Sequence, residues 1–121
     1  MDPDVSSVVF EVRFLVPVIE DPGLGNGEKH PHSRWETLNT DLFAMFGGYT
    51  RNRAPVDGVY ADPDTGEAVH DESIVYIVAL RAGDVPRIRA YVKNTVTRLF
   101  VQKRIYFHNG SHVEFLDNPD R

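Results

Sequence analysis

Five residues constrain this chain more than any others. At Phe46-Gly47-Gly48-Tyr49-Thr50 a helical pattern stops, two glycines let the backbone reverse, and extended chain begins. Upstream, Val8, Phe10, Val12, Phe14 and Val16 alternate with Val9, Glu11, Arg13 and Leu15, the period of a central strand with one apolar and one mixed face, ended by Pro17 and Pro22. Ser33 and Glu36 have the spacing of a capping box, and Trp35, Leu38, Leu42, Met45 and Phe46 then recur at helical intervals. Downstream, Arg51 to Pro55 is expected to bulge or loop, because Pro55 has no amide to give a ladder. Val56 to Ala61 reads as a strand, Asp62-Pro63-Asp64-Thr65-Gly66 as a turn, and Ile74 to Leu80 as the second central strand. Asp84 is expected to cap a second helix whose buried stripe is Ile88, Val92, Thr95, Val96 and Leu99. Ile105 to Phe107 is the last main strand, and Asn109-Gly110 turns it into Val113 to Leu116.

This order predicts an α+β fold over residues 1–121 as one domain. The expected architecture is a βαββαβ sandwich: a four-stranded antiparallel sheet in the order 4-1-3-2, two helices on one face, right-handed crossovers, and a C-terminal hairpin. At 121 residues, 41% of them hydrophobic, the chain can bury one core without staples. It has no cysteine, so thiolate and disulfide chemistry are excluded. The acidic start Met1-Asp2-Pro3-Asp4 differs from the basic start of a signal peptide, and no apolar run suffices to span a bilayer; a cytoplasmic location with no membrane contact is the expectation.

A net charge of −5 disfavours nucleic acid as the general partner. Arg87, Arg89, Lys93, Arg98, Lys103 and Arg104 nonetheless concentrate in one stretch without acids, the first four on a helix face expected to be solvated.

Candidate chemistry is sparse. Gly23-Leu24-Gly25-Asn26-Gly27 lies between strand and helix but lacks the spacing of a phosphate loop, so the long loop Glu20 to His32 reads as flexible surface. His30 and His32, the run His70-Asp71-Glu72, and His108 with His112 offer imidazoles and carboxylates, yet no spacing ties them together; neither metal nor cofactor is expected. Arg34, Arg51 and Arg53, with Tyr49, Tyr60 and His108, are the candidate ligand-binding residues, the arginines able to fork onto carboxylate or phosphate. The sheet face away from the helices is expected to carry Val9, Arg13, Leu15, Tyr76 and Val78 as a half-apolar interaction face. No Gly-x-Ser-x-Gly elbow surrounds any serine.

Through Phe46-Gly47-Gly48-Tyr49-Thr50, Gly58-Val59-Tyr60, Gly66 to Ser73 and Val113-Glu114-Phe115-Leu116, the chain resembles a loose group of small uncharacterised bacterial proteins with a ferredoxin-like fold. The resemblance implies that fold and carries no functional residue over. The residues favour a non-enzymatic accessory or protein-interaction domain, homo-oligomeric through the open face or an edge strand. An alternative is a small-molecule enzyme of the dimeric α+β barrel kind, its pocket lined by Arg, Tyr and His side chains such as Arg13, Tyr76 and His108. A second alternative is a nucleic-acid-associated protein using the basic helix.

Overall fold

A computed structural model describes residues 9–121, and the Val8 end of the first expected strand lies outside them. The elements are β1 (Val9–Pro17), α1 (His32–Phe46), β2 (Thr50–Arg51), β3 (Val56–Ala61), β4 (Ala68–Arg81), a second helix α2, β5 (Arg104–His108) and β6 (Val113–Asp117). Helix α2 starts at Val85–Tyr91, passes through a π-helical turn at Val92–Val96 and finishes at Thr97–Leu99. Every pairing is antiparallel, in the order β2-β4-β1-β5-β6, with β3 also on β4. The mixed α+β architecture with two helices is therefore as expected, but the sheet has six strands instead of four. Thr50–Arg51, at the start of the expected loop, pairs with β4 as a short strand of its own, and the C-terminal hairpin adds β6 to the same sheet. Among the described residues no helix is long and apolar enough to cross a membrane.

The core lies between the helices and one sheet face. Val12, Phe14 and Val16 of β1 meet Val78, Tyr76 and Ile74 of β4 in register, and Leu38, Leu42, Ile88, Val92 and Val96 cover them. Phe14 and Tyr76 stack with ring centroids 5.3 Å apart. Each such buried ring contributes about 1.5–3 kcal/mol by area alone. Tyr76 and Val78, expected on the open face, are thus core residues; Val75 and Ile77 take the outward positions beside Leu15 and Arg13. The misplacement has a simple cause. Ile74 to Leu80 is apolar on both faces, so its composition does not fix its phase, whereas pairing with the patterned β1 does. The buried Tyr76 hydroxyl donates to Asn39 Oδ1 at 2.7 Å, and Tyr91 donates to Asp41 Oδ2 at 2.7 Å.

Helix ends also differ from expectation. Gly47 terminates α1 at φ 88°, as its left-handed role requires, and its amide donates to Phe43 O. At the other end Pro31 is the cap position, no side chain caps it, and the Ser33–Glu36 box does not form; Glu36 pairs with His32 at 3.0 Å. Asp84 likewise makes no capping bond. Past α2 the chain turns through Val101 at φ 52°, a strained conformation for a β-branched residue worth about 1–3 kcal/mol. The corner is held because Val101 O accepts from Asp21 N at 2.9 Å and buried Gln102 donates through Nε2 to Ile19 O and Phe100 O. The long loop is fixed as well: Ile19 bridges Lys29, and Glu20 N donates to Glu28 O.

Candidate functional site

Strand β4 is longer than β1. Its first residues, Ala68 to Asp71, run beyond Pro17 and pair in the ladder with β3, so β3 and β4 form an arm projecting past the main sheet. The arm's turn carries Asp62 and Asp64, which receive Lys103 Nζ at 3.2 and 2.9 Å. Lys103 immediately precedes β5, so this clamp ties the arm back to the far side of the sheet. Arg121 also reaches Asp64. The contacts hold both aspartates below the ordinary carboxylate range, chiefly through the Asp64 amide for Asp62 and through Lys103 for Asp64.

Between the arm and β5–β6 lies a groove of about 290 Å³. Leu15, Pro17, Val59 and Phe115 make its walls mainly apolar, and Tyr60, Asp71, Ser73, Arg104 and Tyr106 supply polar atoms. An apolar cleft with a few convergent polar groups is the usual form of a small-molecule site. Gly58 sits across from Asp71 in the ladder, and a Cβ at Gly58 would stand 3.0 Å from Asp71 Oδ1, so glycine there makes room for the carboxylate. Burial raises the Asp71 pKa, and Ser73 Oγ, at 3.5 Å, is its side-chain donor. Among the described residues Asp71 pairs with no cation. Burial, then the nearby charges of Asp21, Asp71 and Asp62, push Tyr60 up to about 12, so it remains a neutral phenol at physiological pH. On the opposite wall Tyr106 and Phe115 meet edge to face at 6.0 Å, and the Arg104 guanidinium lies 5.9 Å over Phe115.

The expected ligand-binding residues are distributed across several places. Tyr60 lines the groove. Arg34 is taken by Glu20 Oε2 at 2.8 Å and by His30 Nδ1 at 3.0 Å. Tyr49 lies against Tyr76, and His108 Nδ1 accepts from Gly110 N at the β5–β6 turn. Arg51 and Arg53 do share one cavity, away from the groove. Of the expected interaction face, Val9, Arg13 and Leu15 are on the open side, with Arg13 paired to Glu11 at 3.1 Å. The histidines do not meet: His30 is buried between Trp35 and Phe100 with Nε2 at 2.8 Å from Pro17 O, while His112 pairs with Asn109.

The basic face of α2 is engaged within the molecule. Arg89 forks onto Glu114, Arg98 onto Asp120, Lys93 donates to Asp117 O, and Arg87 donates to Met45 O. Asp71, Ser73, Tyr106 and Phe115 were not singled out together by sequence reasoning, since only the arm and its clamp bring β4 and β6 to one cleft.

The class is thus a small α+β domain with helices on one side of an antiparallel sheet and an open groove on the other. No known protein family matches this sequence, and no curated protein does. Two solved structures share the fold. One is a phage SAM lyase in complex with S-methyl-5'-thioadenosine, 14% identical, with a TM-score of 0.68 over 97% of this chain and 95% of that one. The other is a phage SAM lyase in the apo state, 17% identical, with a TM-score of 0.61 over 89% of this chain and 88% of that one. At these identities the likeness establishes the fold. It also corrects the non-enzymatic, protein-interaction reading drawn from the sequence: both of these solved structures with the same fold are SAM lyases.

Proposed function

We propose that this protein is a small-molecule enzyme that binds S-adenosylmethionine in the groove and cleaves it, releasing S-methyl-5'-thioadenosine. The observation that carries the reading is Asp71: a partly buried carboxylate without a cationic partner among the described residues, facing an apolar cleft, on a fold shared with phage SAM lyases. Such a carboxylate calls for a cation from the ligand. The substrate offers a permanent sulfonium and an ammonium. Asp71 takes the ammonium, which remains charged throughout, and the Tyr106–Phe115 wall takes the thioadenosine by stacking.

A lyase consumes no water, so the electrons that displace sulfur come from the substrate. Its own carboxylate closes on the γ carbon, a C–O bond forms, the C–S bond breaks, and the electron pair leaves on sulfur as a neutral thioether. No proton moves. Two opposite charges are annihilated in this step, and apolar walls favour a transition state in which they are already diminishing. Leu15, Pro17, Val59 and Phe115 provide those walls. Neutral Tyr60 is a hydrogen-bond donor at the same mouth.

The test is incubation of purified protein with S-adenosylmethionine and chromatography of the products. Accumulation of S-methyl-5'-thioadenosine, inhibited by added product, is expected. Unchanged substrate together with no saturable binding refutes the reading, and S-adenosylhomocysteine as product replaces it with methyl transfer.

A further inference from the structure

We propose a second ligand site, independent of the groove: the cavity between the amino end of α1 and the β2–β3 connection binds a phosphorylated small molecule of nucleotide size through Lys29, Arg51 and Arg53. The cavity measures about 390 Å³ and shares no lining residue with the groove. Glu72 lines it, while its neighbours Asp71 and Ser73 line the groove, so the two sites lie on opposite sides of one strand.

The distribution of unpaired cations over the described residues sets this cavity apart. Nine of the thirteen lysines and arginines are engaged by carboxylates, an imidazole or backbone carbonyls. Among the described residues only Lys29, Arg51, Arg53 and Arg81 make no ion pair or side-chain hydrogen bond, and three of those four line this one cavity. In a chain of net charge −5, three cations together with no partner among the described residues stand apart from the other ten, nine of which are engaged. The backbone is built to present them. Asn52 turns the other way, its Oδ1 accepting from Val75 N at 2.8 Å in place of a ladder bond, and Arg51 and Arg53 on either side of it reach the cavity.

The chemistry of the lining selects the ligand. Guanidinium groups fork onto paired phosphate oxygens, and three cations offset by the single carboxylate Glu72 match a polyanion better than a single monoanion. Trp35 and Pro55 add flat apolar surface beside the cations, which suits a base or sugar attached to the phosphates.

Trp35 is the sole tryptophan, so its fluorescence reports this cavity directly. Adenosine triphosphate and pyrophosphate, titrated at physiological salt with sodium chloride as the ionic-strength control, are expected to change the emission saturably. The nucleotide should bind more tightly than pyrophosphate. Arg51→Gln and Arg53→Gln should each weaken binding by about 10-fold, with circular-dichroism melts unchanged because exposed charges contribute little to stability. No saturable change with either probe up to about 10 mM, a Kd range that already corresponds to only ~3 kcal/mol, overturns the proposal. Equal affinity in the double variant also overturns it. A single-stranded oligonucleotide that binds more tightly than the nucleotide replaces the small-molecule ligand with nucleic acid.

Discussion

Asp71→Asn is expected to move stability and substrate affinity in opposite directions. Burial holds the Asp71 carboxyl above its ordinary value of 3.8. The folded state therefore binds more protons than the unfolded one between those two values, stability falls as pH rises through that window, and the loss persists above it. Asparagine removes the penalised charge while keeping the shape, so the variant should melt higher than the parent at neutral pH. The difference should vanish below the unfolded value, where both side chains are neutral. For substrate, an ammonium about 4 Å from the carboxylate gains about 4 kcal/mol at an effective dielectric of ~20. Solvent on the open side of the groove reduces this to about 2 kcal/mol, or roughly 30-fold in KM. The ammonium keeps its charge at the transition state, so kcat should hold. Product release measured against substrate concentration, with a thermal melt of the same preparations, reads both effects. A variant that melts lower, or one that loses kcat at constant KM, would falsify the assignment of Asp71 as ammonium partner.

Substitutions at three positions test the fold. Gly47→Val should cost about 1–3 kcal/mol because φ is 88° there, whereas Gly48→Val, with ordinary φ and open space for a Cβ, should stay within about 0.5 kcal/mol in thermal melts. Equal melting of the two variants would place the end of α1 elsewhere. Tyr76→Phe should lose about 1 kcal/mol with the Asn39 hydrogen bond, and Tyr76→Glu should fail to fold because it buries a charge beside Phe14. A folded Tyr76→Glu protein in urea titrations would return Tyr76 to the open face.

How much of the candidate site was legible is clearest residue by residue. Tyr60 stood out in the sequence as a candidate ligand-binding residue grouped with Arg34, Arg51, Arg53 and Tyr49, and it does line the groove. Asp71 stood out only as one of three adjacent polar residues, His70-Asp71-Glu72. What distinguishes it is Gly58 across the ladder, which makes room for it, and the lack of a cation partner among the described residues. Both are properties of pairing between residues far apart in sequence. Arg34, Arg51 and Arg53 look alike as a sequence, yet Glu20 and His30 claim Arg34 and leave the other two exposed to the second cavity.

Local periodicity and turn chemistry by themselves determined the element order, the two-helix α+β class and the stop at Gly47, because strand alternation, helical spacing and left-handed glycine are properties of a few neighbouring residues. Tertiary structure decided what depends on distant partners. The phase of Ile74 to Leu80 came from pairing with β1, since both its faces are apolar. The engagement of the α2 cations came from the Glu114 and Asp120 carboxylates and the Asp117 carbonyl, and the groove from Lys103 drawing in a turn 41 residues earlier. These pairings and ion pairs have no local signature. They form only where the folded chain brings complementary groups within hydrogen-bond reach.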